Sequence, residues 1–492
     1  MATELARTSL TTLGSAVAVP GYDPTDLTAG ILHFGVGNFH RAHQAVYLDD
    51  LFARGRDQAW AIVGAGVRLA DAEMRDKLMA QDWLTTVVEQ EADTSTARVT
   101  AAMVDFLPPG NAAAIINRLA DPAIRIVSLT ITEGGYYIDP ATQAFDPHHP
   151  DIKYDAEHFT TPRTVFGLIL AGLKRRRDIG IAPFTVMSCD NIPGNGHVTQ
   201  NALVGLARLI YPELARWVED NVAFPNSMVD RITPATTDKQ RETLVDRFGV
   251  IDRWPVFCEE FRQWVLEDKF PAGRPALEEV GVQFVPDVAP FELMKIRILN
   301  GGHAAIAYPG GLLDIHFVHE AMADPQIRAF LGKLEREEII PVVPPVPDTD
   351  LQAYYELIER RFSNPAIGDT IQRLCLDGSN RQPKFILPSA VDRVKAGQSV
   401  TGLALVSALW ARYCYGESDS GKIIPPNDPN WDRLTAQARL ARSEPKAWLQ
   451  MTDIFGALAT EPSYVSAFST ALRTLWAEGT RATLQRYLEG RL

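Results

Sequence analysis

The feature that most limits the fold of this 492-residue chain is an alternation in its first half. Short apolar, β-branched runs recur at Ile31 to Gly37, Trp60 to Val67, Thr85 to Glu89, Arg98 to Met103, Ile124 to Thr132 and Phe184 to Cys189. Turn residues bound each run, and helix-length segments such as His40 to Arg54 separate them. Parallel strands need a long crossover, usually a helix, so this alternation predicts βαβ units and a mostly parallel sheet covered on both faces.

Beyond about residue 285 the periodicity becomes helical, over Pro290 to Tyr308, Pro325 to Ile339, Leu351 to Arg361 and Val400 to Tyr415. Two proline-rich connections, Pro341 to Pro347 and Pro425 to Pro429, read as short extended spacers. The expectation is an α/β domain over residues 1–285 and a mainly α-helical domain over 286–492.

Charge narrows the function classes. Lys plus Arg total 48 and Asp plus Glu total 61, a net charge of −13. Nucleic-acid binding and docking on anionic membranes both want a basic face, so neither is expected. Apolar stretches such as Val165 to Leu173 and Leu403 to Trp410 fall short of the ~20 residues of a membrane span. No apolar run follows Glu4 and Arg7 as in a signal peptide, so a cytoplasmic protein is expected. Its scattered cysteines, Cys189, Cys258, Cys375 and Cys414, read as reduced core residues. The ten histidines form no HxH or HExxH pattern, so no metal site is expected. No exposed apolar stripe compels assembly, so a monomer or weak homo-oligomer is expected.

The first apolar run closes on Gly35-Val36-Gly37 and a helix follows. Glycines there let the backbone approach a pyrophosphate at a helix N-terminus, as in a Rossmann-type dinucleotide site. The full fingerprint wants a third glycine where this chain has His40, so the match is partial. Asp71, just past the second run, is placed for a ribose-binding carboxylate, with the alternative that it caps a helix starting at Ala72. At the ribose it favours NAD over NADP, with Arg68 close enough to blunt that preference.

The segment Phe291 to Tyr308, FELMKIRILNGGHAAIAY, carries the other chemistry. At about 100° per residue, with Lys295 at zero, Leu299 falls near 40°, Glu292 near 60°, His303 near 80° and Asn300 near 140°. A lysine on such a face, among Ile296, Leu299 and Ile306, is partly desolvated and can act as a general base near neutral pH. Gly301 and Gly302 weaken a helix interior, so they imply close approach by a ligand or the other domain. Glu292 lies within side-chain reach of Lys295 and either relays its protons or simply favours the helix dipole.

Five blocks then stand in order: Gly-x-Gly-x-Phe-x-Arg-x-His over Gly35 to His43, TITEGGY over Thr130 to Tyr136, SCDN over Ser188 to Asn191, FPNSMVDRITP over Phe224 to Pro234, and Lys295-x4-Asn300-x2-His303. Together they resemble the polyol-specific long-chain dehydrogenases/reductases, over essentially the whole chain. The resemblance implies metal-independent oxidation of a sugar alcohol to a ketose with NAD, D-mannitol to D-fructose first, with D-arabinitol or D-sorbitol as further substrates. It implies Lys295 as general acid/base, Asn191 and Asn300 as the oxyanion hole, and His303 as a substrate hydrogen-bonding group. Asp230, Arg373 and Lys384 are the implied contacts to the remaining hydroxyls. Gly35, Val36, Gly37, Asn38, Phe39, Arg41, Asp71 and Glu133 are the cofactor-binding candidates. The family's usual placement of its site is the cleft between the two domains.

Several residues keep a plainer alternative. Asp190-Asn191 can be turn formers, Asp230-Arg231 a structural ion pair, and Arg373 a surface helix residue. Arg381 stands where a lysine can occur, and Ala70 where a second acid can occur. A hexuronate or aldonate oxidoreductase is the alternative function, since Arg373, Arg381 and Lys384 could meet a carboxylate. A catalytically silent NAD-binding regulator is the third.

Overall fold

The structure is a computed structural model that describes residues 2–139 and 144–492. It divides into two compact units, Met1–Ala289 and Pro290–Leu492.

The first unit is built on five parallel strands: β1 (Ala29–Phe34), β2 (Ala61–Ala65), β3 (Met103–Phe106), β4 (Ile126–Leu129) and β5 (Thr185–Ser188). Their order in the sheet is β3-β2-β1-β4-β5. Phe34 is in register with Ala65 on one side and Leu129 on the other. Order therefore reverses between β1 and β4, the switch point where open α/β sheets bind ligands beyond their strand ends.

Both faces of the sheet are covered, which is why its strands read as apolar runs rather than alternations. Leu32 and Phe34 pack with Ile115, Leu119, Phe166 and Ile169 on one face. Ile31, Ile62 and Ile126 pack with Leu48, Leu51 and Phe52 on the other. The crossover helices start on side-chain caps. Asn111 accepts from the Ala114 amide ahead of Ala112–Leu119, and Thr164 from the Gly167 amide ahead of Val165–Asp178.

Two sequence expectations need correction here. The run Arg98 to Met103 is not one strand. Ser95–Thr100 pairs antiparallel with Thr85–Gln90 in a separate sheet completed by Val256–Glu259 and Val17–Ala18, and only Met103–Phe106 joins the parallel sheet. The break falls at Ala101-Ala102. The buried Asp49 carboxylate accepts the Ala101 amide at 3.0 Å, and the Ala102 carbonyl accepts from Ile62. The helix expected over His40 to Arg54 is two helices, Asn38–Ala42 and Gln44–Ala53, hinged at His43 (φ −121°, ψ −87°).

In the second unit, Thr401–Tyr413 is buried almost throughout, with Trp410 edge-on to Trp448 at 4.8 Å. The run expected as one helix from Pro290 to Tyr308 has three parts. It is helical over Ala289–Met294, π-helical over Lys295–Asn300, and α-helical over Gly301–Leu312. A second π-turn, Glu335–Ile339, follows Pro325–Leu334. Among the described residues no helix is long and apolar enough to cross a membrane.

Candidate active site

The glycine turn leaves β1 at the switch point. Gly35 has φ +94°, and a Cβ there would lie 2.0 Å from the Thr130 carbonyl oxygen, so no other residue fits. The Gly35 carbonyl is held by the Thr130 hydroxyl at 2.6 Å and faces His33 Nε2 at 3.1 Å. Gly37 is different. Its φ is −88°, and a Cβ would meet nothing nearer than 3.9 Å. The chain itself does not need glycine at 37. Open space at that position is what close approach of a pyrophosphate requires, so the turn fits a dinucleotide.

His40 fills the third glycine's position by a different packing. Its ring lies flat on His33, with centroids 3.5 Å apart and planes at 14°. Burial pushes His33 and His43 down to about 3, and His40 well below the ordinary histidine range. Val36 is buried and Phe39 stacks on His43 at 4.8 Å. Asn38 donates to the Pro234 carbonyl. Arg41 is fully buried, and its guanidinium is bonded to Asn38 Oδ1 and the Trp254 carbonyl. It braces the turn from inside the fold.

Asp71 lies in the first turn of a helix that begins at Leu69, not Ala72. Its Oδ2 accepts the Val67 and Arg68 amides at 3.1 and 3.0 Å, and Arg68 stands 3.8 Å from Oδ1. Gly66 makes room for it, since a Cβ there would sit 2.5 Å from that carboxylate. Asp71 therefore does cap a helix, and it does so at the end of β2.

Glu133 opens the short helical turn Glu133–Tyr136 beyond β4, and exposed Asn191 follows β5. Asp190 between them is no simple turn former. It accepts from the Ile131 amide (2.9 Å), the Thr132 amide (2.8 Å) and the Tyr136 hydroxyl (2.6 Å). Burial pushes its carboxyl above the usual range while those donors pull it back. Asp230 is buried at the end of Ser227–Asp230, opposite Gln263. The ion pair of the neighbouring Arg231 is with Glu89 at 2.6 Å, and its other bonds include the Ala42 and Glu259 carbonyls.

In the second unit, Lys295, Asn300 and His303 share one continuous helical run. Lys295 is 8% exposed. The π-turn changes the wheel drawn for a regular helix, because each turn takes in an extra residue and brings Asn300, five residues on, closer to the face of Lys295. Glu292 precedes the π-turn on Ala289–Met294 and is half-buried. Gly301 and Gly302 have close neighbours within this unit. A Cβ on Gly301 would lie 3.2 Å from the Phe385 carbonyl, and one on Gly302 3.3 Å from both Glu335 Oε1 and the Phe362 ring.

His303 stacks on Phe362 at 4.1 Å. Burial, and then Arg373, Arg361, Arg381 and Lys295, hold its pKa well below the ordinary value, so the imidazole is neutral at neutral pH. Arg373 is half-exposed and grips Asp369 with two bonds of 2.5 Å. Lys384 is exposed on Gly378–Phe385. Sequence reasoning missed Phe362, Arg361 and Asp369. The (i, i+4) spacing from Asp369 to Arg373 was the one available signal.

The first unit matches the mannitol dehydrogenase Rossmann domain over residues 29–279, and the second the mannitol dehydrogenase C-terminal domain over residues 287–476. The chain belongs to the mannitol dehydrogenase family. It is 61% identical to the mannitol 2-dehydrogenase of Cereibacter sphaeroides over 474 residues, covering 96% of this chain and 99% of that one. It is 41% identical to an Aspergillus fumigatus mannitol 2-dehydrogenase, covering 96% of each. Among solved structures it resembles Pseudomonas fluorescens mannitol 2-dehydrogenase in a ternary complex with NAD and D-mannitol, with a TM-score of 0.89, 44% identity, and coverage of 99% and 100%. It also resembles a substrate-free D-sorbitol dehydrogenase, with a TM-score of 0.91, 35% identity, and coverage of 98% and 100%. The family places this chain among oxidoreductases that act on CH–OH groups.

Proposed function

We propose that this protein is an NAD-dependent, metal-independent polyol dehydrogenase that interconverts D-mannitol and D-fructose, using Lys295 as the general acid/base. The observation that carries the reading is the buried Lys295 on the same π-turn as Asn300, with a neutral His303 on the next turn.

Gly35, Val36, Gly37, Asn38 and Phe39 form the cofactor-binding turn, with Asp71 at the ribose and Glu133 beyond β4. Arg41 contributes from inside the turn. NAD, when bound, supplies the hydride acceptor. The remaining work belongs to the chain. Lys295 takes the proton of the reacting hydroxyl through Nζ. Asn191 and Asn300 donate amide hydrogens to the oxygen as its charge develops. Neutral His303 offers one ring N–H and one acceptor to a hydroxyl. Asp230, Arg373 and Lys384 hold the remaining hydroxyls. Glu292 passes the proton of Lys295 to solvent. A negligible effect of Glu292→Leu on both rate and pH profile would remove that last role.

Bidentate pairing with Asp369 already balances the charge of Arg373, which suits an uncharged polyol. The cations around His303 favour a second reading, a substrate with a carboxylate such as a hexuronate. Steady-state kinetics separate the two. NADH formation from D-mannitol well above that from D-arabinitol and D-sorbitol, with fructuronate a poor oxidant of NADH, is the expected result. Preferred turnover of fructuronate would establish the second reading, and no turnover with any polyol would overturn the first.

A further inference from the structure

The most strained backbone near the candidate residues is at Thr132, with φ 65° and ψ 165°. That region is essentially reserved for glycine, and a β-branched residue there is an outlier that persists only when its surroundings impose it. The surroundings are explicit. The two successive amides of Ile131 and Thr132 both point into the Asp190 carboxylate, one to each oxygen. The φ of Thr132 is the rotation between its own held amide and the turn Glu133–Tyr136 that follows, so the grip of Asp190 on that amide bears directly on where the turn starts.

Asp190 is 8% exposed and is itself tied on every side. Its Oδ2 also accepts from Tyr136, whose hydroxyl lies 2.6 Å from Ser188 Oγ on β5. The Asp190 amide donates to that same Ser188 oxygen, and its carbonyl accepts from Asn195 Nδ2 at 3.1 Å. Asn195 in turn brackets Ser227, donating to its carbonyl at 2.8 Å and accepting its amide at 2.9 Å. One buried network thus joins the ends of three segments. Glu133 follows Thr132 on the first, Asn191 follows Asp190 on the second, and Asp230 closes the strand that starts at Ser227 on the third.

A glycine at 132 would remove the strain and leave every bond to Asp190 possible. The chain instead has a residue whose peptide orientation depends on Asp190. We propose that Asp190 is a positioning residue, and that its grip on the strained Thr132 peptide fixes Glu133 and Asn191 relative to each other. The inference rests on the proposed dehydrogenase function, in which those two residues serve the cofactor and the reacting oxygen.

Three variants test it: Asp190→Asn, Thr132→Gly, and the two combined. The readouts are kcat and KM for D-mannitol, NADH affinity from quenching of protein fluorescence, and the melting temperature. Asn at 190 turns one acceptor oxygen into a donor that faces donors. We expect Asp190→Asn to lower kcat at least tenfold, weaken NADH binding several-fold and melt earlier. Thr132→Gly should melt later than wild type, yet bind NADH at least threefold more weakly, because the turn is no longer confined. The double variant should recover melting temperature without recovering kcat.

The inference is overturned if Thr132→Gly leaves kcat and NADH affinity within twofold of wild type. It is also overturned if the double variant regains activity together with stability, as a purely structural bond would allow. Should the wild type oxidise no polyol, the proposed function fails first, and the NADH affinities of Thr132→Gly and wild type still decide the role of the grip.

Discussion

In the first unit, Gly35, Glu133, Asn191 and Asp230 stand at or just past strand ends, held by hydrogen bonds between segments far apart in sequence. In the second, Lys295, Asn300 and His303 stand along nine residues of one helical run. The first arrangement is fixed by backbone geometry, so its key positions are glycines and buried carboxylates. The second is fixed by helical phase, so its key device is the π-turn. A backbone-built site should fail through folding and cofactor affinity, and a phase-built site through rate.

The largest effect expected from that contrast is on rate. Lys295→Ala should lower kcat by about 10²–10⁴, the usual worth of a positioned acid/base, with an unchanged melting curve. A fall in melting temperature that accounted for the lost rate would break the contrast.

The next effect is on folding. Gly35→Ala drives a Cβ into the Thr130 carbonyl at a positive φ. A loss on the order of 3 kcal/mol is expected in urea unfolding. Gly37→Ala, two residues on, should stay within about 0.5 kcal/mol of wild type and raise the KM for NAD instead. Equal destabilisation by both would show that the open space at Gly37 has no bearing on the cofactor.

The pH dependence of stability sharpens the comparison, because three of the four histidines with strongly lowered pKa sit in the first unit. His33 and His43 titrate near 3 when folded, while His40 and His303 lie well below the ordinary range. Unfolded histidine titrates at about 6.5. Below that pH the unfolded chain binds protons that the folded chain refuses. The stability these groups contribute is therefore complete above pH 6.5 and is lost as pH falls towards 3, at about 1.4 kcal/mol per pH unit for each histidine. Urea unfolding followed separately in each unit should show the steeper acid dependence in the first. A steeper dependence in the second would contradict these histidine environments.

The smallest effect expected is at Asp71. Asp71→Ala removes the acceptor of two amides at the start of a helix, costing about 1 kcal/mol. It should also narrow the preference for NAD over NADP several-fold. An unchanged cofactor ratio would leave Asp71 as a cap alone.

What was legible in the sequence follows the same division. β1, its glycine turn and the parallel sheet could be read because β-branched runs end on glycines. The pairing of Arg231 with Glu89 could not, since that partner lies 142 positions away. Nor could the split of the run at Arg98 to Met103, because Ala101 and Ala102 carry no signal for a change of sheet and the buried Asp49 imposes it. On the helical run of the second unit the order Lys295, Asn300, His303 is plain. A regular wheel nevertheless misplaces Asn300, since nothing in KIRILN announces a π-turn. The burial of Arg41 and the knot at Asp190 were hidden for one reason: a polar residue's partners are chosen by the fold.

The most direct test of the central claim is the pH profile of kcat/KM for D-mannitol oxidation with saturating NAD, in wild type and in Lys295→Ala. If Lys295 takes the hydroxyl proton, the wild-type profile rises with pH through one ionisation to a plateau, and the variant's residual activity lacks that ionisation. The same ionisation persisting in Lys295→Ala would place the base on another residue and contradict the account.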